Sequence, residues 1–156
     1  MVEMLDAGQG KDIIVITIIG ASGHVNGKVA QELVESGHRV RVLGRGAGAL
    51  DHLVEHGADV RIGDIADTTW LTAALEGSDA VFAMVPSNPF TGQYSDEQDR
   101  LGESICAALK NSEVRSVVAL SSLGADRPDA AGVTDALHLS TWRSRLRATS
   151  SCRTRT

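Results

Sequence analysis

The sequence predicts an α/β domain built on a doubly wound parallel sheet of about five strands in the order 3-2-1-4-5. Three observations carry that expectation. The segment Ile13–Ile19 is β-branched throughout and almost wholly apolar, with no alternation. A strand of that kind is buried on both faces, as in the middle of a parallel sheet. Strand-like and helix-like segments then alternate through five strands in about 120 residues, which calls for right-handed crossovers with helices on both faces. Finally, the glycine-rich stretch Gly20–Gly27 lies directly between the first strand and the first helix.

The elements follow in order. Strand one ends at Gly20. Val25, Val29, Leu33 and Val34 fall at helical spacing, and Gly37 stops that helix. Arg39–Leu43 reads as strand two. Leu50, Leu53 and Val54 mark a second helix as core residues, ended near Gly57, and Asp59–Ile62 is a short third strand. Asp67 can cap a third helix carrying Trp70, Leu71, Ala74 and Leu75, closed by Gly77. Asp79–Val85 is strand four, halted by Pro86. Ser95, with Gln98 as capping-box partner, opens a long helix whose buried stripe is Leu101, Ile105, Ala108 and Leu109. Cys106 beside that stripe reads as a small core residue. Arg115–Ser121 is strand five.

Composition bounds the function. The 156 residues fit one domain, and 42% are apolar, enough for a packed core. Fifteen basic against 20 acidic residues leave a formal charge of -5, which argues against a general nucleic-acid binder. No apolar run approaches the roughly 20 residues that span a bilayer. Met1–Gly10 lacks the basic start of a secretory leader, so the expected location is the cytoplasm. Cys106 and Cys152 are too few for a disulfide framework or a zinc knuckle. Charge is uneven: residues 1–135 hold all 20 acids, while residues 136–156 hold five arginines and no acid. The expected organisation is a dinucleotide-binding domain over residues 12–137 and an irregular, basic, Ser/Thr/Arg-rich tail over residues 138–156. That tail reads as disordered or as the product of a shifted reading frame. A natural basic tail meeting nucleic acid or an acidic partner is the other reading.

The turn Gly20-Ala21-Ser22-Gly23-His24-Val25-Asn26-Gly27 sits where a dinucleotide fold holds its pyrophosphate. Gly20 allows the tight turn and Gly23 a close approach of backbone to an anion. The helix opening at His24 and Val25 offers free amides and the positive end of its dipole, and Ser22 offers a hydroxyl. The third glycine of the spacing is displaced, because position 26 is Asn and glycine stands at 27. Asn26 is expected to push the helix outward, or Gly27 to serve through a one-residue bulge. A plain strand-to-helix turn without a ligand is the bland alternative.

Strand two ends in Leu43-Gly44-Arg45-Gly46, without the carboxylate that binds a ribose 2′-hydroxyl in NAD-preferring sites. Arg45 can pair with a 2′-phosphate, so NADP(H) is the preferred cofactor and NAD(H) the alternative. A solvated loop arginine is the competing reading. Asp64 can accept from an adenine amino group while Ile65 packs on the ring, or Asp64 is simply a turn carboxylate. Val85 and Pro86 end strand four beside the expected cleft. Ser121 and Ser122 can touch the nicotinamide carboxamide or merely end strand five.

With these residues in place, the chain resembles the NmrA-like group of atypical short-chain dehydrogenases/reductases. The strings that carry this are Gly20-Ala21-Ser22-Gly23, Arg45, Gly63-Asp64-Ile65, Ala74-Leu75-Glu76-Gly77-Ser78-Asp79-Ala80-Val81-Phe82, Val85-Pro86 and Val117-Val118-Ala119-Leu120-Ser121-Ser122. The resemblance covers about residues 12–125. It implies a Rossmann-like sheet, NADP(H) preference and a C-terminal substrate subdomain, in proteins about twice this length. The Tyr-x-x-x-Lys pair of standard short-chain reductases is absent, since position 98, four beyond the single Tyr94, is Gln. Two functions follow from the resemblance. One is direct hydride transfer between nicotinamide and a small carbonyl or quinone. The other is a non-catalytic redox sensor acting through a protein partner.

One further string, His52-Leu53-Val54-Glu55-His56, matches the H-x-x-E-H pattern of a zinc site. It falls on a short crossover helix with no third ligand in view, so a solvated helical face is the expectation.

Overall fold

The computed structural model describes residues 14–46, 48–85, 94–120 and 153–155. The strands are β1 (Val15–Ile19), β2 (Arg39–Gly44), β3 (Asp59–Ile62), β4 (Ala80–Ala83), β5 (Ser116–Ala119) and β6 (Arg153–Arg155). The helices are α1 (His24–Glu35), α2 (Asp51–Glu55), α3 (Thr68–Ala74) and α4 (Tyr94–Asn111). Strands pair in parallel throughout, in the order β3-β2-β1-β4-β5-β6. The first five strands therefore stand in the predicted order.

Two cores explain why β1 shows no alternation. Ile18 faces one side, with Ala30 of α1, Val40 and Val42 of β2, and Leu50 and Leu53 around α2. Ile19 faces the other, with Val81 and Ala83 of β4, Leu71 of α3, and Leu101 and Ile105 of α4. Both isoleucines are fully buried. Burial of each such side chain stabilises the fold by about 1.5–3 kcal/mol. Leu101, Ile105, Ala108 and Leu109 all lie in the second core, as does Cys106. Among the described residues, no helix is long and apolar enough to cross a membrane.

Four expectations are corrected. Val25 and Val54 are 49% and 52% exposed, so helical spacing alone misplaces both. In α1 the fully buried positions are Asn26 and Ala30, with Val29, Leu33 and Val34 packed partly against the core. On α2, Leu53 faces the core, while its neighbour Val54, about 100° further round the helix, faces solvent. Helix α4 begins at Tyr94, which places Ser95 inside the first turn rather than at the cap, and Gln98 is buried. The tail is not irregular throughout, because Arg153–Arg155 pair with Ser116–Val118 as β6. The cause is the open edge of β5, whose backbone groups accept a neighbour whatever its side chains.

The strands are tied together where they begin. The Asp79 carboxylate accepts from Val15 N at 2.9 Å, and Asp79 N donates to Val15 O. Arg41, nine-tenths buried, donates from Nη1 to Ala74 O (3.0 Å) and Glu76 O (2.7 Å) at the end of α3. Its Nε donates to Asp59 Oδ2 at 2.8 Å. Thr17 and Ser78, both buried, exchange a hydroxyl hydrogen bond of 2.7 Å, and Arg41 also reaches Ser78 Oγ at 3.3 Å.

Candidate dinucleotide site

The glycine-rich turn leaves β1 at Gly20, whose φ of 75° lies in the left-handed region that suits glycine. Gly20 N and Ala21 N donate to Leu43 O at 2.9 and 3.2 Å, which fixes the turn to the end of β2. Gly23 N closes the turn on Gly20 O at 3.1 Å. Gly23 is also the N-cap of α1, and no side chain caps it. Among the described residues, nothing accepts from the backbone amides of Ser22, His24, Val25 and Asn26. Amides of this kind at a helix start attract an anion, with about 0.3–1 kcal/mol from the dipole alone.

The displaced glycine is resolved without a bulge. Helix α1 is regular from His24. Asn26 is fully buried, and its Nδ2 donates to Ile19 O at 2.6 Å, so its side chain ties the helix to the strand it follows instead of pushing it away. The close approach falls to Gly27, where an added Cβ would lie 3.0 Å from Ala21 O.

Gly20, Ser22, Gly23, Gly44, Arg45, Ile65 and Met84 line a cleft of about 310 Å³. These residues come from the carboxyl ends of β1, β2, β3 and β4, where the strand order reverses between β1 and β4. Open α/β sheets bind ligands at such a point. Ala21, Ser22, Gly23, His24, Gly27, Lys28, Gln31, Ala49 and His52 line a second hollow of about 280 Å³ between α1 and α2. Ser22 and Gly23 belong to both hollows.

Of the residues singled out in the sequence, the cleft gathers Gly20, Ser22, Gly23, Arg45 and Ile65. His24 lines the second hollow, and Val25 lines neither. Asp64 is exposed and also stays out of both linings; its Oδ1 accepts from Ala66 N at 2.9 Å, the short-range bond of an Asx turn. Val85 is buried in the α3/α4 core. Pro86, Ser121 and Ser122 lie outside the described residues.

Sequence reasoning missed Met84 in the cleft, although the period-two alternation of β4 carries the signal: Ala83 turns to the α3/α4 core, and Met84 follows it. It also missed Lys28, Gln31, Ala49 and His52, which sit on segments far apart in the chain. Ser104 is a further support. Its hydroxyl donates to Ile65 O at 2.8 Å, tying α4 to the turn that brings Ile65 to the cleft.

Solved structures share this fold. Triphenylmethane reductase of Citrobacter sp., complexed with NADP(H), superposes with a TM-score of 0.72 at 20% identity over 89% of this chain and 48% of its own. The NADPH-dependent quinone oxidoreductase of Escherichia coli, complexed with NADPH, gives 0.62 at 23% identity over 83% of this chain and 45% of its own. Leucoanthocyanidin reductase of Vitis vinifera, in a binary complex with NADPH, gives 0.69 at 15% identity over 90% and 48%. The chain thus spans about half the length of these proteins. No curated protein sequence matches it. A family model described as NAD(P)H-binding matches residues 20–153, most of the sequence and all of the glycine turn, and the chain therefore belongs to the NAD(P)H-binding family.

Proposed function

We propose that this chain is the NADP(H)-binding domain of an NmrA-like reductase, one that passes hydride to a small carbonyl or quinone when its substrate-binding part is present. One observation carries the reading. The unengaged amides at the start of α1 flank a cleft whose lining holds Arg45 and no carboxylate. The residues fit a dinucleotide: the free amides of Ser22, His24 and Val25 would hold the pyrophosphate, with Gly20 and Gly23 giving the tight turn and the close approach, Arg45 would hold a 2′-phosphate, and Ile65 the adenine face. When bound, the nicotinamide supplies the hydride chemistry, and the protein supplies orientation. The ligands bound in the structural relatives, NADP(H) and NADPH, support this preference.

The test is a fluorescence titration of the purified chain with NADPH and NADH. NADPH should bind more tightly, and Arg45→Ala should weaken NADPH about tenfold while leaving NADH nearly unchanged. Equal losses for both dinucleotides would remove Arg45 from the 2′-phosphate site.

The second reading, a non-catalytic redox sensor that acts through a protein partner, has its own support. The single tyrosine, Tyr94, has glutamine and not lysine four positions on, so this chain carries no Tyr-x-x-x-Lys proton relay. Oxidation of NADPH on adding quinones favours the reductase. Tight binding of both NADP⁺ and NADPH without turnover favours the sensor.

A further inference from the structure

Asn26 stands in the first turn of α1 and is engaged at only one of its polar groups. Its backbone amide is among those that no described residue accepts from. Its side chain is fully buried, with Nδ2 donating to Ile19 O at 2.6 Å. Its Oδ1 is buried as well and has no hydrogen-bond partner among the described residues. A buried acceptor left unpaired destabilises a fold, whereas an apolar side chain of similar size leaves none. Stability alone therefore does not account for an amide at this position. What the amide adds is a link. Ile19 C=O and Gly20 N–H belong to one peptide group, and Gly20 N donates to Leu43 O at 2.9 Å. Hydrogen bonds in such a chain polarise one another. Ala21 N reaches the same oxygen at 3.2 Å, and Gly63 N donates to the next carbonyl, Gly44 O, at 3.0 Å. Leu50 packs so closely on Gly44 that an added Cβ would lie 2.8 Å from its Cδ1. Leu43 and Gly44 thus form a firm base, and Arg45 follows directly from it.

We infer that Asn26 is a positioning residue that sets the spacing between the amides of α1 and Arg45, and so couples the diphosphate and 2′-phosphate contacts of one dinucleotide. This rests on the proposed dinucleotide reading and deepens it. The buried side chain meets neither phosphate and acts through the groups that do. NADH uses the amides alone, whereas NADPH must reach the amides and Arg45 together. A change in their spacing therefore penalises NADPH more than NADH.

The experiment is a double-mutant cycle on the full chain. Binding of NADPH and NADH is measured for the parent, Asn26→Leu, Arg45→Ala and the two substitutions combined, each first shown to be folded by circular dichroism. Asn26→Leu should weaken NADH about threefold and NADPH about tenfold. In the Arg45→Ala background the same change should weaken NADPH only about threefold, because no second contact is left to misplace. Asn26→Ser, whose hydroxyl is one bond shorter than the amide, repeats the cycle if Asn26→Leu does not fold. A role in stability alone lowers both affinities by one factor in both backgrounds. Equal losses for NADPH and NADH, the same NADPH loss with and without Arg45, or unchanged binding in the folded variants overturns the inference and leaves the dinucleotide reading intact. If the parent binds neither dinucleotide, that reading falls first and the inference falls with it.

Discussion

The two ends of the sheet treat their polar groups in opposite ways. Where the strands begin, polar groups are paired with one another. Arg41 spends its guanidinium on Asp59, Ser78 and two carbonyls at the end of α3, and Asp79 clasps the start of β1. Where the strands end, Ser22, His24, Val25 and Asn26 present amides that no described residue accepts from. Buried polar groups left unmade cost about 1–3 kcal/mol each, so the first arrangement stabilises the domain. The second forgoes such pairing at the start of α1 and keeps donors free for an anion. Stability and recognition are thereby separated along one set of strands, and substitutions at the two ends should separate in the same way.

The largest stability effect is expected at the saturated end. Arg41→Leu keeps the bulk but deserts Asp59, Ser78, Ala74 O and Glu76 O, and should lower the free energy of unfolding by about 2–4 kcal/mol. Urea unfolding gives the number. Wherever the variant is folded, its affinity for NADPH should stay within about twofold of the parent, because Arg41 lines neither hollow. A selective loss of NADPH affinity with unchanged stability would reverse the assignment of the two ends.

Gly27 lies at the junction of the two regimes, and Gly27→Val should disturb both. The new side chain meets Ala21 O at 3.0 Å from its first atom, and its branches must displace the helix or the turn. Overpacking of this kind costs about 1–3 kcal/mol. Unlike Arg41→Leu, it should also weaken NADPH and NADH together, because it moves the amides that both diphosphates need. Calorimetric titration of the folded variant with both ligands checks this. Affinities equal to the parent's would mean that the turn tolerates the shift.

What the sequence alone makes legible divides by the range of the interaction. The strands read clearly because a parallel sheet buries both faces of β1, and the resulting apolar run is local. Asp67 was recognisable as a cap because an N-cap reaches only two or three residues ahead, and it does accept from Thr69 N and Trp70 N. The glycine turn was recognisable from its place between strand and helix. Asn26 was misread, since its bond to Ile19 O depends on how closely the helix passes the strand, which no spacing rule encodes. Val25 and Val54 were misplaced because a helical stripe defines a face only when the helix is long enough and its core lies squarely beneath it. The α1/α2 hollow escaped altogether, for its walls come from two helices with a strand between them.

The smallest effect concerns the paired end and is seen only in acid. The Asp59 carboxyl is held below the ordinary carboxylate range, first by the hydrogen bond from Arg41, which outweighs the opposing push of burial, and then by the charges of Arg41 and Arg61. Because the folded state lowers this value, the stabilisation is fully present above the unfolded carboxylate value of about 3.9 and is lost as pH falls through the folded one. Asp59 is half exposed, so solvent screening limits the contribution to below about 1 kcal/mol. Asp59→Asn should therefore be slightly less stable than the parent at pH 7, and the gap should close as the pH drops below about 4. Urea midpoints measured for both proteins from pH 7 down to about pH 3 test the sign. If the gap stays constant through that range, Asp59 contributes by packing and not by its charge, and Arg41 acts at this end through its bonds to Ala74 O, Glu76 O and Ser78 Oγ.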